Sequence, residues 1–190
     1  MLPALPANSS TACERRHRAP CAADALLEVP AAYGGRGAFL CAGHRPMVEA
    51  FLARCREDLA LLAPGAAPVD LAASLADLPC ELVGRERVVA GLFDGEGELA
   101  AVLDVRAAPG GRAWTIAAVM VRPDLRGRGI AAALLEALEG WVKSEGGEAI
   151  RFPVDRRNRP AVCLARRAGF APRGSSPRAP HVEDLVRQVA

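Results

Sequence analysis

The chain has 190 residues, the length of one domain with an appendage. Hydrophobic residues make up 51% and charged residues 24% of it, which indicates a buried core and excludes a wholly disordered chain. The sequence has no apolar run near the ~20 residues of a membrane helix, and its net charge of +2 does not indicate an obligate nucleic-acid-binding protein. We therefore expect neither a membrane nor a nucleic acid as partner.

The charge is divided unevenly along the chain. Residues 1–111 hold 10 basic and 14 acidic side chains, whereas residues 112–190 hold 14 basic and 8 acidic ones. The excess of positive charge in the C-terminal part favours an anionic ligand there.

The cysteines indicate neither a metal site nor a disulfide framework. None of the six forms a Cys-x-x-Cys pair, and the first ten residues lack the charged and apolar regions of a secretory signal. Free thiols that act as small buried hydrophobes are the favoured interpretation, with no bound metal and a cytoplasmic location.

Residues 1–36 are predicted to be a mobile or loosely packed N-terminal extension. They contain four prolines and show no sustained helical or strand period, although residues 22–29 allow at most a short helix. The folded domain is predicted to span residues 37–190.

The first elements of this domain are a short strand and a helical region. Residues 38–41 form an apolar run, and Arg45-Pro46 then suits the first turn of a helix. One predicted helical face carries apolar residues at alternating spacings of four and three, namely Val48, Leu52, Cys55, Leu59 and Leu62. Asp70 is placed to cap a second short helix, with Leu71, Leu75 and Leu78 on one face.

The pattern next predicts an antiparallel meander. Residues 87–93 and 98–106 are two strand-like runs, and the Asp94-Gly95 turn between them is a strong hairpin signal. Residues 114–121 follow a second turn and are apolar at nearly every position, so we expect a central strand that is buried on both faces.

The C-terminal part alternates helices and strands. A helix is predicted over residues 130–144, with Glu139 and Lys143 paired on its wet side, and residues 148–154 should return as a parallel strand. Asn158 is placed to cap a helix over residues 159–168, and two short strands at 170–174 and 181–189 end the chain.

The most informative motif joins the central strand to the helix at residue 130. It reads Arg126-Gly127-Arg128-Gly129-Ile130-Ala131. Glycines allow the backbone to approach a ligand closely, and the unpaired N–H groups at a helix start form an anion site suited to a pyrophosphate.

Two other interpretations compete for this motif. The first is a plain glycine-containing turn with solvated arginines. The second is a dinucleotide-binding fingerprint, because Gly127-x-Gly129-x-x-Ala132 matches G-x-G-x-x-G/A and Asp155 follows the next strand. Five residues between strand and first glycine, and a preceding meander rather than βαβ units, argue against the second.

Arg126-x-x-Gly129-x-Ala131 resembles the Gln/Arg-x-x-Gly-x-Gly/Ala signature of the GNAT superfamily of acetyl-CoA-dependent N-acetyltransferases. Asn158, Ala161, Leu164 and Gly169-Phe170 also resemble the family's last helix and its exit. The resemblance covers residues 38–190 in element order. It implies an α+β fold, in which about four helices flank a mostly antiparallel sheet of six to seven strands with a splayed fourth and fifth strand.

The resemblance also implies which residues bind acetyl-CoA. The backbone of Val119, Met120 and Val121 would pair with the pantetheine arm, and residues 126–131 would hold the pyrophosphate. Asn158 resembles the family asparagine near the cofactor arm, and a plain helix cap is an equal alternative for it. The arginines near enough in sequence to meet the 3′-phosphate are Arg156, Arg157, Arg159, Arg166 and Arg167.

In this family, the implied chemistry is direct attack by a neutral amine on the thioester. It needs donors for the oxyanion and a proton for the leaving thiolate, and the Met120 N–H is the predicted oxyanion donor. The position where much of the family carries a tyrosine acid is Ala165 here, the only tyrosine is the distant Tyr33, and Cys163 is expected to be packed.

The general base is open between several side chains. Asp104 is the first candidate, with Glu98 and Asp94 behind it, and His44 and His181 are further candidates. Surface or structural roles are the alternative for each.

The leading hypothesis is an acyltransferase that moves the acetyl group of acetyl-CoA to a primary amine of a small molecule or a protein. The acidic N-terminal part favours a cationic amine. The alternatives are a degenerate acyl-CoA-binding sensor or partner-recruiting module without turnover, motivated by Ala165, and a dinucleotide-binding domain. The identity of the acceptor stays open, as does a homodimer paired through the C-terminal strands.

Overall fold

The architecture is one mixed sheet with helices on both faces. The computed structural model describes residues 26–27, 35–62, 73–78, 86–110, 112–176 and 179–189. Within them the strands are β1 (Leu26–Leu27), β2 (Arg36–Phe39), β3 (Arg87–Phe93), β4 (Leu99–Ala107), β5 (Ala113–Val121), β6 (Ala149–Asp155), β7 (Ala171–Ser176) and β8 (Ala179–Gln188). The helices are α1 (Arg45–Arg54), α2 (Arg56–Leu62), α3 (Ile130–Ser144) and α4 (Arg159–Arg167), together with a helical turn at residues 73–76.

The sheet order is β1-β2-β3-β4-β5-β6-β8-β7, and every neighbouring pair is antiparallel except β5 and β6. This confirms the predicted α+β fold and its single parallel crossover through α3. The eighth strand arises because Leu26 and Leu27 pair with the outer edge of β2. Residues 22–29 allow at most a short helix by sequence, but Leu26 and Leu27 form a strand, because the sheet edge offers them hydrogen-bonding partners.

The helical region after β2 is interrupted at one residue. Cys55 lies between α1 and α2, and its N–H donates to the carbonyls of both Phe51 and Leu52. The predicted apolar face nevertheless continues across the break, because Val48, Leu52, Cys55 and Leu59 are all buried. Asp70 and Leu71 lie outside the described residues, whereas Leu75 and Leu78 are buried as predicted.

Two apolar cores lie on the two faces of the sheet. One contains the buried side of α3, including Leu134, Leu138 and Val142, and the other contains the buried sides of α1 and α2. Strand β4 contributes to both, because Leu103 enters the α3 core and Val102 enters the α1–α2 core. The strand buried on both faces is thus β4 rather than β5.

Strand β5 differs from the prediction because it contains a bulge. Asp104 and Val105 are consecutive on β4, but they face Ala118 and Ile116, so Ala117 is an extra residue on β5. The bulge switches the side-chain direction: Ile116 enters the α3 core, whereas Ala118 enters the α1–α2 core. Ala117 itself is exposed.

Helix α3 begins at Ile130 and ends at Ser144, as predicted. Its predicted Glu139–Lys143 pair is wrong, because Glu139 forms an ion pair with Arg187 of β8. The strand β8 holds Arg187 in place, so its pairing with Glu139 costs little conformational entropy. The exposed Lys143 would lose more rotamer freedom on pairing with Glu139.

Candidate active site

A wedge opens between β5 and β6. The two strands pair only at their first residues, where Ala113, Trp114 and Thr115 face Ala149, Ile150 and Arg151. Beyond Thr115 the ladder stops, while β6 stays paired with β8 as far as Asp155. The β6-facing edge of β5 is therefore open from the bulge onward, and an extended, amide-containing ligand can add there as a strand does.

The alternation of hydrogen bonds identifies which β5 groups face the wedge. The N–H of Arg122 donates to the carbonyl of Ala100 on β4, at 2.9 Å. Because successive residues of a strand point their backbone groups to opposite edges, Met120 also faces β4, whereas Val119 and Val121 face the wedge. The predicted roles of Val119 and Val121 fit this geometry. The Met120 N–H, which is predicted to donate to the oxyanion, points to β4 instead, whereas the Val119 N–H faces the wedge.

The glycine loop lies at the end of this open edge. Gly127 and Gly129 have φ values of 75° and 82°, in the region where side chains are strained. Gly129 is the N-cap of α3 and supplies no side-chain acceptor to the first turn. The first turn of α3, which begins with Ile130 and Ala131, therefore presents unpaired N–H groups and the positive end of the helix dipole beside the exposed Arg128.

Arg126 connects this loop to α2. Its Nη2 forms an ion pair with Asp58, and its Nε donates to the carbonyl of Val121 at 3.3 Å. Burial raises the pKa of the Asp58 carboxyl, and the neighbouring Arg126 opposes that shift. Asp58 carries no signal in the sequence, because 68 residues separate it from Arg126 and no local pattern links the two.

Arg122 is a buried arginine that the motif did not predict. Its Nη1 lies 3.0 Å from the Asp94 carboxylate and 3.2 Å from that of Glu98, and its Nε donates to Asp124 at 2.9 Å. Glu98 also accepts from Arg54 at 2.7 Å. The two reserve candidates for a base, Asp94 and Glu98, therefore fasten the β3–β4 turn to the loop after β5.

Asp104 lies in a buried ion pair with Arg87. The residue is 0% exposed, and its two carboxylate oxygens accept from the guanidinium of Arg87 at 2.9 and 3.0 Å. The same guanidinium donates to the carbonyls of Ser74 and Asp77, and so ties the 73–78 segment to the sheet. Proton abstraction by Asp104 would require this ion pair to open, so the geometry does not favour the role of base predicted for it.

Helix α4 lacks an acid at the expected position. Ala165 is fully buried, and its carbonyl accepts from the N–H of Phe170. Asn158 accepts from the N–H of Ala161 and thus acts as the predicted helix cap. Cys163 is exposed rather than packed, because α4 turns it to the solvent side with Arg159 and Arg166.

The histidine candidates also lie in structural settings. His44 is buried, which lowers its pKa, and its Nδ1 accepts from the Cys41 N–H. His181 is an exposed residue of β8 whose carbonyl accepts from the N–H of Arg156. Tyr33 lies outside the described residues.

Within the part of the chain that the structure describes, two of the five arginines near α4 have carboxylate partners. Arg157 donates to Asp155, whose pKa it lowers to about 2, and Arg166 pairs with Glu183. Arg156, Arg159 and Arg167 are exposed.

Neither a metal cluster nor a membrane helix is present in the described ranges. They contain no group of three or more His, Cys, Asp or Glu side chains that could hold an ion. None of their helices has both the length and the apolar character needed to span a membrane.

The fold is similar to those of solved acetyltransferases. The GNAT domain of S. lividans PAT has a TM-score of 0.67 at 17% identity, over 81% of this chain and 90% of that one. An acetyltransferase from Salmonella typhimurium, described as modifying the N-terminal serine of ribosomal protein L7/L12, has a TM-score of 0.68 at 17% identity, over 85% and 99%.

A third neighbour was solved with coenzyme A. It is RimL, a ribosomal L7/L12 α-N-protein acetyltransferase, with a TM-score of 0.67 at 14% identity, over 86% of this chain and 98% of that one. These identities show a shared fold. No curated protein matches the chain in sequence.

The sequence match to a family is more direct. The model of the "Acetyltransferase (GNAT) family" matches residues 54–170, a range that contains the wedge, the glycine loop and α4. The chain belongs to the GNAT acetyltransferase family.

Proposed function

We propose that this protein transfers the acetyl group of acetyl-CoA to a primary amine by direct attack, in the cytoplasm. The observation that carries the proposal is the open edge of β5, which ends at the glycine loop and at the free N-terminus of α3. One continuous surface thus offers amide-pairing groups, then anion-binding N–H groups, in the order in which coenzyme A presents its pantetheine amides and its pyrophosphate.

The strand β5 and the glycine loop bind different parts of acetyl-CoA. Val119 and Val121 pair with the pantetheine arm, and the backbone from Arg126 to Ala131 binds the pyrophosphate. Acetyl-CoA supplies the thioester carbonyl that the amine attacks. A C–N bond forms and the C–S bond breaks, the Val119 N–H donates to the oxygen that gains negative charge, and the thiolate leaves.

The proton steps run through water. The carboxylates considered as bases, Asp94, Glu98 and Asp104, each accept from an arginine. The position of the family's tyrosine acid holds Ala165. We infer that the amine reacts in its neutral form, that water takes the proton which the attacking nitrogen loses, and that water protonates the released thiolate. The kcat/KM should therefore rise with pH up to the pKa of the amine itself.

Neighbouring structures suggest where to look for the acceptor. Two of them are named for acetylation of ribosomal protein L7/L12, at its N-terminus. We therefore propose to test both protein N-termini and small amines as acceptors. A sensor without turnover is a second candidate, and the observation that favours it is the buried Ala165.

Calorimetry with coenzyme A and a free-thiol release assay over a panel of peptides and small amines test the proposal. We expect binding of coenzyme A and release of one thiol for each acetylated amine. Absence of binding would refute the proposed function. Binding without turnover on any amine would instead favour the sensor.

A further inference from the structure

One backbone carbonyl that faces the wedge, that of Val121, already accepts a hydrogen bond from a side chain of the protein itself. The carbonyl of Val121 points away from β4, because the N–H of the next residue, Arg122, donates to β4. The Nε of Arg126 donates to this carbonyl at 3.3 Å. A strand-like ligand that pairs with Val121 needs the same oxygen, so the guanidinium and the ligand compete for it.

Asp58 holds the guanidinium in that position. It forms an ion pair with Nη2 of Arg126, while Nε makes the bond to Val121. Asp58 is itself fixed, because its N–H donates to the carbonyl of Cys55 at 2.9 Å and its side chain is only 24% exposed. The next residue, Leu59, is buried in the α1–α2 core. The carboxylate therefore anchors Arg126 to a packed helix.

The ligand expected in the wedge can release this contact. Arg126 begins the loop whose backbone N–H groups form the anion site, so a pyrophosphate bound there lies within the neighbourhood of the guanidinium. An arginine fork matches the oxygens of a phosphate in the same bidentate geometry as those of a carboxylate, so a phosphate can replace Asp58 as its partner. Exchange of Asp58 and the Val121 carbonyl for a phosphate would free that carbonyl for the pantetheine arm.

We propose that the Asp58–Arg126 pair is a latch across the wedge, and that coenzyme A opens it by giving Arg126 a phosphate in place of Asp58 and the Val121 carbonyl. This inference rests on the proposed function, because it presumes that the wedge takes coenzyme A. Asp58 is then a positioning residue that sets the affinity for the acyl donor without touching it.

The test uses Asp58→Asn, which keeps the shape of the side chain and removes its charge. This variant should bind coenzyme A about two- to fivefold more tightly than wild type, because binding no longer has to break the partly exposed Asp58–Arg126 ion pair. The matched control is Glu57→Gln, which removes one charge from the exposed neighbouring residue in the same helical turn. It should leave the affinity unchanged.

A second measurement follows the latch without the ligand. In the free wild-type protein, the Nε–H of Arg126 should exchange slowly by ¹⁵N NMR, and it should exchange fast in Asp58→Asn. If wild type binds coenzyme A and Asp58→Asn binds it no more tightly, the latch is refuted while the proposed function stands. Equal exchange of the Arg126 Nε–H in both free proteins also refutes the latch. If wild type binds no coenzyme A, both proposals fail.

Discussion

At the scale of single residues, chemical type alone did not identify function. Asp104 is the first candidate for a base by sequence because it is a carboxylate on the third predicted strand and the fourth carries none. In the structure it accepts two hydrogen bonds from Arg87, which lies on β3 and also binds the backbone of the 73–78 segment. A buried carboxylate whose two oxygens are both taken by one guanidinium is suited to hold elements together.

Asp104→Asn is expected to lower the free energy of unfolding by about 3–5 kcal/mol, because it leaves the largely buried Arg87 without its counter-charge. Urea unfolding measures this loss. The exposed pair of Arg45 and Glu49 supplies the control, since Glu49→Gln should leave the free energy of unfolding almost unchanged.

The same variant separates the two roles of Asp104. If it is structural, the folded fraction of Asp104→Asn keeps the wild-type kcat and the wild-type pH profile. If kcat falls a hundredfold or more while stability changes little, Asp104 is the base that the sequence predicts.

At the scale of elements, the start of α3 depends on backbone conformation more than on side chains. Gly127 has a φ of 75°, and a Cβ built there meets nothing within 4 Å. Substitution by alanine in the free protein therefore adds backbone strain without a steric clash. Gly146, at the other end of α3, has a φ of 73° and the same open surroundings.

Gly127→Ala and Gly146→Ala form a matched pair. Each should lower the free energy of unfolding by about 1–2 kcal/mol, because each places a Cβ in the left-handed region. Only Gly127→Ala should weaken coenzyme A binding, by tenfold or more, since its methyl group and altered backbone stand at the anion site. Calorimetry on both variants checks this, and equal affinities would contradict the assignment of the loop.

At the scale of the whole molecule, the two oppositely charged parts of the chain neutralise each other in part. Asp58 and Asp94 from the acidic part pair with Arg126 and Arg122 from the basic part. The charge division along the sequence therefore does not directly separate an amine-binding side from a phosphate-binding side. Some of these charges form ion pairs that hold α2 and the β3–β4 turn, in the acidic part, against the loop after β5, in the basic part.

The wedge leaves β5 and β6 joined by three residue pairs, so a ligand that fills it should stabilise the whole fold. At a coenzyme A concentration of 100 times Kd, we expect about 2.7 kcal/mol of added stability, which thermal unfolding would show as a higher Tm. Amide exchange should slow at Val119 and Val121. The Met120 amide should already be protected without ligand by β4.

If coenzyme A slows amide exchange at Met120 and not at Val119 and Val121, the strand alternation inferred from the Arg122–Ala100 hydrogen bond is wrong. A Tm that does not change with coenzyme A would argue against binding in the wedge.

The sequence by itself determined most of the elements and their order from β2 onward, but not the β1 strand, the break at Cys55 or the bulge in β5. Hydrophobic periods and turn residues are local signals, so α3 was predicted to the residue, and the Asp94-Gly95 hairpin and the Asn158 cap were also correct. The glycine loop was identifiable for the same reason, because a strand end, two glycines and a helix start are contiguous in the chain.

Only the tertiary structure decided which groups are free to act. The bulge at Ala117, the edge to which Met120 points and the partners of Asp104 and Arg126 all depend on residues that are distant in sequence. A strand register is a property of two strands, and an ion pair is a property of two side chains brought together by packing. No pattern within one segment contains that information, and this is why the fold was predicted more completely than the catalytic groups.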